Sequence, residues 1–314
     1  MQIEYLQING SDQHVNVDIY EPAGIDRTLA TKGLIPAVVI AAGGGGKDLL
    51  SGNERRGKHA VGYHDLAEYL AGEGFWVLVP SRRGDPQRTP ELRSTLSHLF
   101  TERLPCEFFL DHGPNVGNYS HQRQANELKT VIERLPELCG RTVDVTRVGL
   151  LGKSAGCGVS LCVASAMGER VAALALWCGS LKSSQWFSGP KADDFFKGIL
   201  SDRQIRYERA AFVNDICDAV EFVGGVHVPI LFACTLSDSY GSEPTERDPY
   251  ATAEEQLQLL HYAVNAHYAR VTIIKGAEHT MYRELPAWRS YTLTLGNWFK
   301  EVLMVDGGDL KEQT

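Results

Sequence analysis

From Ile35 onward the chain returns again and again to short, unbroken apolar runs, and these restrict its fold more than any other feature. Such runs are Ile35 to Ala42, Phe75 to Pro80 and Arg147 to Leu151, and Val171 to Trp177, Val228 to Leu236 and Ala269 to Ile274 are three more strand-like runs. The first three are expected to be strands covered on both faces, as in the middle of a parallel sheet, and the last three read as further strands. Stretches of helical spacing lie between them. One carries Val61, Leu66, Tyr69 and Leu70 and stops at Gly72-Glu73-Gly74; a second, 121–138, carries Ala125, Leu128, Val131, Ile132 and Leu135; others cover 253–264 and 288–304. Strands alternating with helices call for a mostly parallel sheet with helices on both faces. Ahead of this pattern, Ile3 to Ile8 and Val15 to Ile19 alternate across the turn residues Asn9-Gly10-Ser11-Asp12, which predicts an antiparallel edge.

A length of 314 residues suits one large domain of this class with an insertion. The stretch between Trp177 and Val228 exceeds a normal connection and carries Trp186, Phe187, Phe195, Phe196 and a helical-looking 202–222. Residues 181–225 are therefore read as a small cap or lid, with 1–180 and 226–314 forming the core; a peripheral pair of helices is the other reading. The polar stretch 86–120 shows no periodicity.

Charge and cysteine usage narrow the function class. With 31 basic against 39 acidic residues the net charge is −8, and no basic tract appears, which argues against nucleic acid as a partner. The seven cysteines, Cys106, Cys139, Cys157, Cys162, Cys178, Cys217 and Cys234, form no C-x-x-C pair and several sit inside apolar runs, so buried thiols in a reducing cytoplasm are expected. The N-terminus is unlike a signal peptide and no apolar run is long enough for a membrane span. His59 and His64 lack an H-E-x-x-H pattern, so no metal site is expected there, and Arg55-Arg56-Gly57-Lys58-His59 reads as a solvated basic turn. Nothing in the sequence fixes the oligomeric state, which leaves a homo-oligomer open.

The most informative single segment is Val148-Gly149-Leu150-Leu151-Gly152-Lys153-Ser154-Ala155-Gly156, followed by the small apolar stretch Gly158 to Met167. A serine between two glycines, after a strand and before a helix, reads as a nucleophile elbow. Side chains two residues either side of such a turn would clash, and Gly152 and Gly156 remove the clash. The turn lifts the Ser154 hydroxyl above the sheet and aims the Ala155 N–H, at a helix N-terminus, toward a developing oxyanion. Gly152-Lys153-Ser154 also resembles the end of a phosphate-binding loop, but Arg147 stands where that motif needs its first glycine.

Four features in order, namely the glycine loop Ala42 to Gly46, the Arg83-Gly84 turn after the next strand, the serine turn at Ser154 and late acid and histidine loops, make the chain resemble the α/β-hydrolases over essentially its whole length. The resemblance implies an α/β-hydrolase fold and a triad in the chain order serine, acid, histidine. A serine hydroxyl is a poor nucleophile near neutral pH and needs an imidazole to take its proton and a carboxylate to orient that imidazole. His279, in the loop after Val271 to Ile274, stands where the family keeps its histidine, whereas His227 precedes a strand and His261 and His267 fall on a helix or its end. Asp238 follows the strand ending at Cys234 and is the first candidate for the acid. Asp248 is the runner-up, and Glu243 and Glu246 are weaker. Gly43 and Gly44 are the candidates for the second oxyanion N–H; Ala42 stands where esterases with an H-G-G-G motif often have histidine.

The function these residues imply is a cofactor-independent serine hydrolase of the carboxylesterase or acyl hydrolase type (EC 3.1) acting on a small-molecule acyl substrate through an acyl-enzyme. An acyltransferase or serine peptidase would use the same triad, and a non-catalytic small-molecule-binding protein on the same fold is the alternative of another class.

Overall fold

A computed structural model describes residues 2–7, 14–23, 34–42, 63–80, 121–188, 213–236, 239–240, 248–249, 253–277 and 286–304. Ten strands lie among them: β1 (Gln2–Gln7), β2 (His14–Tyr20), β3 (Ile35–Ala41), β4 (Trp76–Pro80), β5 (Val143–Lys153), β6 (Ala173–Trp177), β7 (Ile230–Cys234), the short pair β8 (Ser239–Tyr240) and β9 (Asp248–Pro249), and β10 (Ala269–Ile273). Eight of them form one sheet in the order β1-β2-β4-β3-β5-β6-β7-β10. Each neighbouring pair from β4 to β10 runs parallel, while β2 runs antiparallel to β1 and β4, so the predicted antiparallel edge is present.

Described helices are α1 (Tyr63–Gly72), α2 (His121–Glu133), α3 (Leu135–Cys139), α4 (Ala155–Met167), α5 (Ser183–Ser188), α6 (Ala219–Phe222), α7 (Ala253–Tyr262) and α8 (Ala287–Phe299). Because side chains alternate across a strand, each central strand feeds two cores. Val38, Ile40, Leu151, Ala175 and Leu231 face α1 and α8 through Leu66, Leu70, Leu295 and Trp298. Ala37, Val39, Leu150, Leu176 and Phe232 face α2, α4 and α7 through Leu128, Val159, Leu161 and Leu259. Strands β3, β4, β6 and β7 are buried along almost their whole length, which is why their sequences read as unbroken apolar runs.

β5 is longer than its apolar run. Its pairing with β3 jumps from Pro36↔Asp144 to Ala37↔Val148, a bulge that holds polar residues inside the strand. Asp144 organises it: its carboxylate accepts from Thr146 N at 2.9 Å, Thr146 Oγ1 at 2.6 Å and Arg147 Nε at 2.6 Å. Arg147 also donates to the carbonyls of Leu303, at 3.1 Å, and Leu34, tying the start of β3 to the helical turn that follows α8. The expected helix over 202–222 is interrupted in its described part. Asp218 has extended dihedrals, φ −72° and ψ 129°, and only the four residues of α6 are helical beyond it. Asp218 is spent on accepting hydrogen bonds from Ser184 N, at 2.8 Å, and Ser184 Oγ, which leaves its carboxylate at the start of α5.

Candidate active site

β5 ends at Lys153, α4 begins at Ala155, and Ser154 makes the turn alone, with φ 53° and ψ −123°. This is a region that L-residues occupy only under constraint, at a cost of about 1–3 kcal/mol. Local packing explains how the constraint is met. A Cβ at Gly152 would lie 2.7 Å from the Gly156 carbonyl oxygen, and one at Gly156 would lie 2.2 Å from the Ala41 carbonyl oxygen, so both flanking positions exclude any larger residue. The backbone holds the turn from both sides: Ser154 N donates to Trp177 O at 2.9 Å, and Cys157 N donates to Ser154 O at 2.9 Å.

Ser154 is half-buried and stands at the N-terminus of a 13-residue helix whose first N–H groups have no intrahelical acceptors. Ala155 supplies the first of these. The helix dipole adds partial positive charge at the same point, so an anion forming beside Ser154 would be stabilised.

The neighbouring strand ends in a second strained residue, Cys178, with φ 51°; its N–H donates to Ala233 O at 2.9 Å. Among the described residues these are the two non-glycine residues at positive φ, and they stand side by side at the same edge of β5 and β6, so backbone strain gathers there. Behind it the Trp177 and Tyr291 rings meet edge to face at 4.6 Å, and burial raises the Tyr291 hydroxyl pKa well above its ordinary value, keeping it neutral. The Lys153 ammonium sits 5.5 Å from the Tyr63 ring centroid, a cation–π contact that directs it toward α1.

The other candidates are located by the strands that lead to them. β3 brings Ala41 and Ala42 against the first turn of α4; Gly43 and Gly44, next in the chain, lie outside the described residues. β7 and β10 run parallel to β5, and their carboxyl ends, Cys234 and Ile273, are on the edge where Ser154 stands. Asp238 comes four residues after the first and His279 six after the second; both lie outside the described residues, as does the Arg55 to His59 cluster. The backbone of Asp248 is described in β9, paired with Tyr240. His227 lies at the opposite edge, where its carbonyl accepts from His267 N at 3.0 Å, and His227, His261 and His267 are all exposed.

Two buried glutamines bracket this edge and have no counterpart among the residues expected from the sequence. Gln124 Nε2 on α2 donates to Ala42 O at 3.1 Å, fixing the carbonyl just before the glycine loop, and Gln256 Nε2 on α7 donates to Gly179 O at 2.6 Å. A signal for each was present: Gln124 shares a helix face with Leu128, and Gln256 with Leu259, so each is a polar residue on an apolar stripe.

No protein-family model and no curated protein matches the sequence. Solved structures do match its shape. An acylaminoacyl peptidase of Pyrococcus horikoshii superposes with a TM-score of 0.61 at 15% identity, over 99% of this chain and 44% of the peptidase. The fold is that of the α/β-hydrolases. Dienelactone hydrolase from Anabaena variabilis shares this α/β-hydrolase fold at a TM-score of 0.52 and 16% identity, over 96% of this chain and 98% of that one. A 2,6-dihydroxy-pseudo-oxynicotine hydrolase shares it at 0.60 and 15%, over 96% and 68%. The chain spans less than half the length of the peptidase. No described helix is long and apolar enough to cross a membrane.

Proposed function

We propose that the chain is a cofactor-independent serine hydrolase of a small-molecule ester, thioester or amide. Ser154 attacks the acyl carbonyl, His279 takes its proton and returns it to the leaving group, and Asp238 orients the imidazole and stabilises its cation. The oxyanion is received by the Ala155 N–H together with that of Gly43 or Gly44, and water then releases the acyl group. The observation that carries this reading is the strained Ser154 backbone, φ 53°, between two glycines that admit no side chain. Nothing in ordinary turn formation calls for a half-buried serine in that conformation, whereas presenting a hydroxyl at a helix N-terminus does.

The names of the similar structures favour a second reading within the same chemistry. One is an acylaminoacyl peptidase and another a puromycin-hydrolyzing peptidase, so cleavage of an amide is the variant to set beside ester hydrolysis. Turnover of p-nitrophenyl esters of graded chain length, alongside aminoacyl p-nitroanilides, separates the two. In either case Ser154→Ala is expected to lower turnover by a factor on the order of 10⁴ or more while leaving the fold intact. Undiminished turnover by that variant contradicts the assignment.

A further inference from the structure

Behind the serine turn, α4 carries a notch that another segment fills. A Cβ at Gly158 would lie 1.9 Å from the Cys217 carbonyl oxygen and 3.6 Å from the Cys217 Cβ, so the backbone at Cys217 lies directly on the helix there. Cys162 stands one turn further along the same face. Helical side chains lean toward the N-terminus of their helix, so the Cys162 side chain leans back over Gly158, toward the place where Cys217 sits. The two thiols act on each other's ionisation, Cys217 favouring the thiolate of Cys162 and Cys162 disfavouring that of Cys217. Cys217 is fixed in turn: its N–H donates to His121 Nδ1 at 3.1 Å, and its sulfur accepts from Gln122 Nε2 at 3.5 Å.

The pair joins two different parts of the fold. Cys162 belongs to the helix that Ser154 starts. Cys217 lies within the 181–225 stretch, just ahead of α6, beside the Asp218 to Ser184 hydrogen bonds and the 3.2 Å bond from Val220 N to Leu181 O. We propose that Cys162 and Cys217 are a peroxide-sensitive thiol pair that closes to a disulfide and staples α4 to the segment that leads into α6.

The chemistry asked of each sulfur fits its surroundings. The influence of Cys217, acting against burial and helped by the Lys129 ammonium, draws the Cys162 thiol down to about 7, while Cys217 is pushed up and stays protonated. Cys139 offers the contrast: burial and the Glu21 carboxylate push it up to about 12. Exposure follows the same order, Cys162 being 7% exposed and Cys139 5%, with Cys157, Cys178, Cys217 and Cys234 at 1% or less. The Cys162 thiolate attacks a peroxide oxygen, breaking the O–O bond to give a sulfenic acid and hydroxide. The Cys217 thiol then attacks the Cys162 sulfur, loses its proton, and the S–O bond breaks to release water. Each sulfur gives up one electron, and the peroxide leaves as two waters once the hydroxide is protonated. A thiol pool reverses the bond, so the pair would read oxidant level in a reducing compartment.

The test uses the full reduced chain, treated with hydrogen peroxide, alkylated with iodoacetamide in denaturant and digested without reductant for mass spectrometry. The expected product is the Cys162 peptide joined to the Cys217 peptide, released by dithiothreitol, with Cys139 still alkylated; the oxidised chain should melt about 5 °C higher than the reduced one. In Cys217→Ser the expected product is a dimedone adduct at Cys162. Should that variant not fold, the linkage in the unsubstituted chain decides alone. A Cys162 peptide with no link to Cys217, or oxidation of Cys139 as fast as of Cys162, overturns the proposal.

Discussion

At Ser154 the demands of stability and of the proposed chemistry diverge, and substitutions can separate them. Its φ of 53° is unfavourable for serine and alanine alike but open to glycine. Ser154→Gly is therefore expected to be about 1 kcal/mol more stable than Ser154→Ala, after allowing for the greater freedom of glycine in the unfolded chain. Both should lose turnover. Urea unfolding of the pair checks the first point, and the opposite order of stability would count against strain at this turn. Gly156 is constrained by space instead: with a Cβ only 2.2 Å from Ala41 O, Gly156→Ala should cost about 2 kcal/mol or more and displace the entry to the glycine loop. An alanine there that matches the parent in melting and turnover would show that β3 and α4 are less tightly pressed than their geometry states.

Among the elements, β5 shows how local chemistry reshapes a strand that hydrophobic pattern describes only in part. The Asp144 carboxylate is opposed by burial, yet its hydrogen bonds from Thr146 and Arg147 outweigh that and hold its pKa below the ordinary value. Its stabilising contribution is therefore complete above the unfolded carboxylate value of about 3.9 and is lost as pH falls through the lower folded one. Asp144→Asn should cost about 2 kcal/mol at pH 7, with the gap to the parent shrinking at about pH 3. Unfolding midpoints at the two pH values check this, and a gap that widens in acid would reverse the sign. Central strands were legible in the sequence because burial on both faces leaves nothing polar in them. The bulge at 144–147 was not, since it depends on carbonyls of Leu34 and Leu303 that are distant in the chain. Nor was the break before α6, where Asp218 leaves the helical pattern to bind Ser184.

Across the whole molecule, the proposed function rests on parallel strands delivering their ends to one edge. β5, β6, β7 and β10 are neighbours in that order, so loops separated by more than a hundred residues in sequence start from a common rim. The serine turn could be read from glycine spacing because steric exclusion acts over two residues. Gln124, Gln256 and the Cys162 and Cys217 pair depend on contacts across the fold, and the sequence shows only polar or sulfur-bearing side chains among apolar ones. Asp238 and His279 were reached through chain order, and their part in the chemistry is the expectation most open to test. Treating the full chain with a fluorophosphonate probe and mapping the adduct by mass spectrometry addresses it directly. The account predicts a single adduct on Ser154 whose formation is slowed on the order of 10³-fold or more in His279→Ala. An adduct on another residue, or labelling of Ser154 at an unchanged rate in that variant, would contradict it.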